Sequence, residues 1–287
     1  MVTLVGLASV MLAVEGRADE PLTAPVELHH DLRVDLPATA GLLVVVVGWR
    51  LVRDDLEPSE CRWCDGRAAG EVNAVDDWFR KGLRHGSTTP ANVTSYALAF
   101  GAAPLSAAGL TILAAMTDHR GNEALVDIVA VAEGGLAAML VTEILEPITL
   151  RTRPYVHAIA DDGARAAVIA QTGAFHSFPA GHVVEAFGLA AASGVVASMR
   201  GYRLAPLVWA GGLLLGVATA YTRMAADRHY FTDVLAGAAI GTVVGGGVPL
   251  LFHRPTRGDR HAGWLERATF TATPIPQGQM IGVGWSF

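Results

Sequence analysis

Residues 221–233 read YTRMAADRHYFTD, from Tyr221 to Asp233. Arg223 stands six residues before His229, and His229 stands four before Asp233. A spacing of four puts His229 and Asp233 one turn apart on one face of a helix. A carboxylate there is placed to accept the imidazole Nδ1–H, which leaves Nε2 as an oriented nucleophile. Arg223 reaches the same pocket if the chain turns between the two. A guanidinium beside an imidazole nucleophile suits a phosphoryl group under attack. Taken alone, such spacings arise by chance in many helices, and a plain salt bridge is an equally good reading.

Two upstream stretches, each at the end of an apolar segment, change the balance. One is Arg153-Pro154 within LEPITLRTRPY, and the other is Ser177 to His182, SFPAGH. The ordered set R-P, P-x-G-H and [ST]-R-x5-H-x3-D resembles the type 2 phosphatidate phosphatase superfamily, which also contains the vanadium haloperoxidases. The family pattern is K-x6-R-P, P-S-G-H and S-R-x5-H-x3-D, and the resemblance covers roughly Ala124 to Phe252. The third motif matches throughout, with Thr222 in the serine position. The other two depart from the pattern. Glu146 stands where the family has lysine, and Ala180 stands where it has serine.

The resemblance implies an all-α fold, a six-helix transmembrane bundle, and a site that works without metal or cofactor. His229 would attack phosphorus to form a phosphohistidine, and Asp233 would fix its tautomer. Arg153 and Arg223 would clamp the equatorial oxygens, and Gly181 would add a backbone N–H. Pro179 near the helix start aims the positive end of that helix at the phosphate. His182 would protonate the leaving group. Arg151, two residues before Arg153, either replaces the missing lysine as a phosphate donor or pairs with Glu146. Each charge-assisted hydrogen bond lost to the departures is worth roughly 1.5–3 kcal/mol. An impaired family member that binds anionic lipid headgroups without turnover is therefore the alternative. Haloperoxidase chemistry fits less well, because it belongs to soluble enzymes.

Composition agrees with a membrane setting. The hydrophobic fraction is 52%, and the mean hydropathy of +0.38 is high for a soluble domain. A net charge of −6 argues against nucleic acid as a partner. Apolar segments near bilayer length occur at Pro37–Val52, Val93–Met116, Ala124–Ile148, Val183–Met199, Leu204–Tyr221 and Thr232–Phe252. The expected partners are membrane lipids and a lipid phosphate substrate.

The organisation expected from these features has four parts. Residues 1–18 resemble a secretory signal. Residues 19–92 carry the first membrane helix and a polar region, 93–252 form the phosphatase core, and 253–287 are a polar tail that packs loosely or pairs as a short hairpin. In the polar region, Cys61 and Cys64 form a lone C-x2-C pair, read as a local disulfide if the segment lies outside the cytoplasm. Asn73 to Leu83 reads as an amphipathic helix with Val75, Trp78, Phe79 and Leu83 on its apolar face, lying on the bilayer or packed on the bundle. Glu133 and Glu143 are expected to face the bundle interior. The 149–177 loop and the 223–233 segment fall on one side of the membrane, because two spans separate them. Arg200, Arg203 and the tail arginines mark the other side as cytoplasmic. This places the site on the periplasmic side of a bacterial inner membrane. A cleaved signal would invert that order, and the loop and tail charges are given more weight.

Overall fold

A computed structural model describes residues 26–56, 60–64, 72–169, 173–256, 268–275 and 278–285. The signal-like segment 1–18 lies outside the described residues. Helix α1 spans Leu32–Leu56 and α2 spans Ala74–Leu83. A third rod runs from Thr89 to Thr117 in two parts, α3 (Thr89–Ala97) and α4 (Ala103–Thr117), joined by one π-helical turn at Leu98–Ala102. Pro104 explains the turn. It has no N–H to donate to the carbonyl four residues back, and Ala103 N–H bonds instead to the Leu98 carbonyl, five residues back.

Helix α5 (Ala124–Thr149) ends after Pro147, at Leu150, whose φ of 40° is left-handed and reverses the chain. The loop that follows carries two short helices, α6 (Pro154–His157) and α7 (Asp162–Ile169). Helix α8 (Gly181–Arg200) stops at Gly201, where φ is 68° and the N–H caps the last turn. Helices α9 (Ala205–Ala225) and α10 (Phe231–Phe252) complete the bundle. In the tail, β1 (Ala268–Ile275) and β2 (Gly278–Trp285) pair antiparallel, with Ala268 opposite Trp285, which is the hairpin alternative for that segment.

Six helical rods among the described residues are long and apolar enough to cross a bilayer, as the all-α membrane fold requires. Helix α8 is the central one and packs against α5, α9 and α10. Small residues bring the backbones together. A Cβ on Gly241 of α10 would lie 2.5 Å from the Val184 carbonyl of α8, and one on Gly245 would lie 2.4 Å from the Gly188 carbonyl. With no hydrophobic drive between helices in lipid, such close van der Waals packing supplies the cohesion. The outer surface is apolar, with Val44, Leu51, Leu105, Leu214, Val243 and Leu251 exposed.

Several charged side chains inside the bundle are paired, as burial favours. Glu133 bonds His253 at 2.7 Å and accepts from Thr39. At the end remote from the motifs, the buried Asp127 accepts from Arg200 and from the Tyr202 hydroxyl, while Arg203 pairs with Asp118. Arg200 and Arg203, whose charges carry the expected orientation, are thus structural ties of the bundle.

Candidate active site

The three motifs meet at one end of the bundle. Asp233 is the third residue of α10, and its carboxylate accepts the Tyr230 N–H at 2.8 Å. This is the helix-to-cap half of a capping box, so the H-x3-D spacing reflects how α10 starts. His229 lies just outside that start, in the 226–230 turn between α9 and α10.

His229 is buried, and both ring nitrogens are engaged. Nδ1 lies 2.7 Å from the Ser177 carbonyl. Nε2 lies 3.1 Å from Arg223 Nη2 and 3.3 Å from Arg153 Nη1. The carbonyl can only accept and the guanidinium groups can only donate, so Nδ1 carries the proton and Nε2 the lone pair. Burial, followed by the charges of Arg153 and Arg223, pushes the His229 pKa well below 6.5. The ring is therefore neutral, with its basic nitrogen facing two cations.

This corrects one expectation. The group that fixes the tautomer is the Ser177 backbone carbonyl, and Asp233 acts one step further out. The oxygen that accepts the Tyr230 N–H also accepts from the Ser177 hydroxyl at 2.6 Å, which helps hold the segment whose carbonyl orients His229. The helical spacing misleads because His229 precedes the helix, so the two side chains do not share a helical face.

Arg151 is the second correction. Its guanidinium is 0% exposed and bonds Asp233, Thr232 and Asp76, at 2.5, 2.8 and 2.9 Å. It is sandwiched between the rings of Trp63 and Tyr230, 4.2 and 4.4 Å from their centroids. Fully enclosed in this way, it ties the loop to α10 and is not a phosphate donor. Nor does it pair with Glu146, whose carboxylate bonds Arg53 of α1 at 2.6 Å. Trp63 is held over Arg151 by the Cys61–Cys64 disulfide loop, which also accepts the Thr152 N–H at the Trp63 carbonyl.

Arg223 donates Nη1 to Asn92 and Ser95 of α3, while its buried Nε has no partner. Arg153 donates Nε to the Gly173 carbonyl and Nη1 to the Arg228 carbonyl. Gly181 opens α8 with its backbone N–H at the positive end of the helix. His182 packs edge-on against Tyr96 and Phe100, and its Nε2 is buried without a partner. The π-helical turn of the third rod carries Phe100 to this position. Ala180 turns its methyl into an apolar cluster with Val183, Ala220 and Val234, so a serine there would bury its hydroxyl away from the arginines.

The arrangement is a buried lone pair flanked by two guanidinium groups, an unsatisfied arginine N–H, a helix N-terminus and a second imidazole. Residues 127–257 match the family model of the PAP2 superfamily. The matched segment is similar to that superfamily and holds all three motifs, from Arg153-Pro154 to Asp233. Neither a curated protein nor a solved structure matches the chain.

Several residues that build the site lie upstream of the PAP2 segment. Helix α2 contributes Asp76 and Arg80. Asp76 bonds Thr232 and Arg151, and Arg80 makes a bidentate pair with Asp227 at 2.6 and 2.8 Å. Burial pushes the Asp76 carboxyl upward, but hydrogen bonds from Thr232, Arg151 and Asn73 outweigh it and hold the group below its usual range. Helix α2 packs on the bundle against α9 and α10, one of the two placements its amphipathic pattern allowed. Its packed face carries Asp76, Phe79 and Arg80, with Phe79 stacked on Phe231 at 3.8 Å, while Val75 and Trp78 are exposed. A charged face turns inward here because the surface that receives it is charged. Sequence reasoning missed Ser177, Asn92, Ser95, Asp76, Arg80 and Arg53. Ser177 opens the SFPAGH stretch but acts through its backbone carbonyl, which its residue type does not signal, and the others lie outside the motifs.

Proposed function

We propose that this integral membrane protein hydrolyses a lipid phosphate or isoprenoid diphosphate through a phosphohistidine on His229, without a metal ion. Similarity to the PAP2 superfamily supports a phosphatase-type activity. The observation that carries the reading is the convergence of Arg153 and Arg223 on the unprotonated Nε2 of His229. A phosphoryl group seated there receives the lone pair in line, and the guanidinium groups move their N–H bonds to its equatorial oxygens. The Gly181 N–H and the unsatisfied Arg223 Nε supply further donors. His182 protonates the leaving oxygen and then takes a proton from the water that cleaves the phosphohistidine. Asp233 and Arg151 act through Ser177 and the loop, as positioning residues. Membrane embedding favours a lipid substrate, and the charge pattern of the loops favours a site on the periplasmic face.

Purified protein tested on a panel of lipid phosphates should release phosphate from at least one, equally well with EDTA present, and His229→Ala should lose that turnover. Retained turnover in His229→Ala, or loss on chelation with rescue by magnesium or zinc, would overturn the reading. Binding of lipid phosphates without any release would support a headgroup-binding role instead.

A further inference from the structure

Position 146 holds a carboxylate at the edge of a site built for an anion. The Glu146 side chain is only 6% exposed, near the end of α5. Its Oε1 lies 3.6 Å from where a Cβ on Gly181 would stand, so the charge sits beneath the start of α8. It is also close enough to act on Arg153. Burial pulls the Arg153 pKa down, and the Glu146 carboxylate is the largest influence in the opposite direction. Left to itself, such a carboxylate would turn to Arg153 or repel an arriving phosphate.

Helix α1 prevents both. Arg53 Nη1 lies 2.6 Å from Glu146 Oε2 and 3.1 Å from Glu143 Oε2, while Arg50 Nε lies 2.5 Å from Glu143 Oε1. Arg50 and Arg53 are one turn apart on α1, and Glu143 and Glu146 are one turn apart on α5. The two helices therefore mesh two cations with two anions. The carboxylates are almost fully buried, whereas the Arg50 and Arg53 side chains are 30% and 20% exposed. The buried charge in need of a partner is thus on α5, and α1 supplies that partner from the rim. Arg50 also places its guanidinium 5.6 Å from the Phe100 ring, which packs against His182.

We propose that Arg53 supplies, from α1, the positive charge that position 146 lacks. By holding Glu146, it keeps that carboxylate off Arg153 and makes phosphate affinity depend on a helix outside the PAP2 segment. Arg50 supports the arrangement by taking the Glu143 charge, which leaves Arg53 to Glu146. Arg53 is in this account a positioning residue, acting on phosphate through Glu146 and Arg153. The inference rests on the phosphoryl-site reading above.

The test measures inorganic phosphate binding by calorimetry on the full-length protein in detergent, alongside KM and kcat for phosphatidate in mixed micelles. Arg53→Gln should weaken phosphate at least tenfold and raise KM by a similar factor, with kcat changed less than threefold. Arg53→Lys, which keeps the charge, should stay within threefold of the unaltered protein. In a Glu146→Gln background the anion to be neutralised is gone, so adding Arg53→Gln should change phosphate affinity less than threefold. That last comparison decides the matter even if Arg53→Gln alone does not fold, because the double variant leaves no unpaired charge at position 146. Equal losses from Arg53→Gln in both backgrounds would overturn the proposal, as would an Arg53→Gln protein that binds phosphate normally. Phosphate binding is read independently of turnover. A His229→Ala protein that still hydrolyses phosphatidate would therefore defeat the phosphohistidine reading while leaving the measurement on Arg53 intact.

Discussion

His229 shows how a single residue is prepared by its surroundings. Its proton is held on Nδ1 by a main-chain carbonyl and its lone pair is presented to two cations. A protonated ring could not accept those bonds, so the buried site favours the neutral form. His176, buried next to Ser177 in the loop before α8, is pushed down to about 3, first by burial and then by Arg53 and Arg153. The consequence for stability has a definite sign. In the unfolded chain both histidines titrate near 6.5, whereas in the fold both remain neutral well below that. Below pH 6.5 the unfolded state binds protons that the folded state refuses, so stability is full above 6.5 and falls as the pH drops toward 3. Each histidine costs about 1.4 kcal/mol per pH unit in that window. Thermal unfolding in detergent should show a clear fall in Tm from pH 7.5 to 5.5. His176→Gln should flatten that dependence, because one proton-linked group is removed. An unchanged slope in the variant would mean that His176 is not held neutral.

At the scale of elements, α2 has the largest effect on the site for its length. Asp227, just before Arg228 and His229, has a φ of 56°, a left-handed conformation that a non-glycine residue holds only under constraint. Arg80 of α2 and Arg84, just after it, grip its carboxylate, and its carbonyl accepts the Tyr155 N–H. The turn that presents His229 is therefore fastened from outside the PAP2 segment. Arg80→Ala should lower kcat about tenfold, equivalent to about 1.4 kcal/mol of barrier, by loosening that turn. KM should change little, because Arg153 and Arg223 remain in place. Steady-state kinetics on a lipid phosphate tests this, and a rise in KM with kcat preserved would place Arg80 in substrate binding instead. The helix itself was legible, since Asn73 caps it and its charges favour the right ends. Its docking face was not, because Asp76 and Arg80 look like solvated residues until Arg151 and Asp227 are seen to receive them.

At the scale of the whole molecule, the site and the 118–123 and 200–203 loops lie at opposite ends of the bundle. From the charge pattern we propose that the second end faces the cytoplasm. Single cysteines can test this directly, because Cys61 and Cys64 are joined in a disulfide. Asn122 and Gly86 are both exposed, and a side chain at Gly86 meets open space. Asn122→Cys should react with a membrane-impermeant maleimide only after the membrane is opened, and Gly86→Cys should react in intact cells. The reverse pattern would put the site in the cytoplasm.

The sequence by itself determined the six apolar spans, the end of the bundle where the motifs meet, and the trio Arg153, Arg223 and His229. These follow from hydropathy and from fixed spacings, which are local and survive in one dimension. Only the tertiary structure decided which groups serve those three. The Ser177 carbonyl orients His229, Arg151 is enclosed as a structural cation, and Arg53 answers Glu146 across 93 residues of chain. A buried charge must find an opposite charge wherever the fold brings one within reach, and no spacing rule records that distance. The departure at position 146 was visible as a reversed charge, but its compensation lay on another helix.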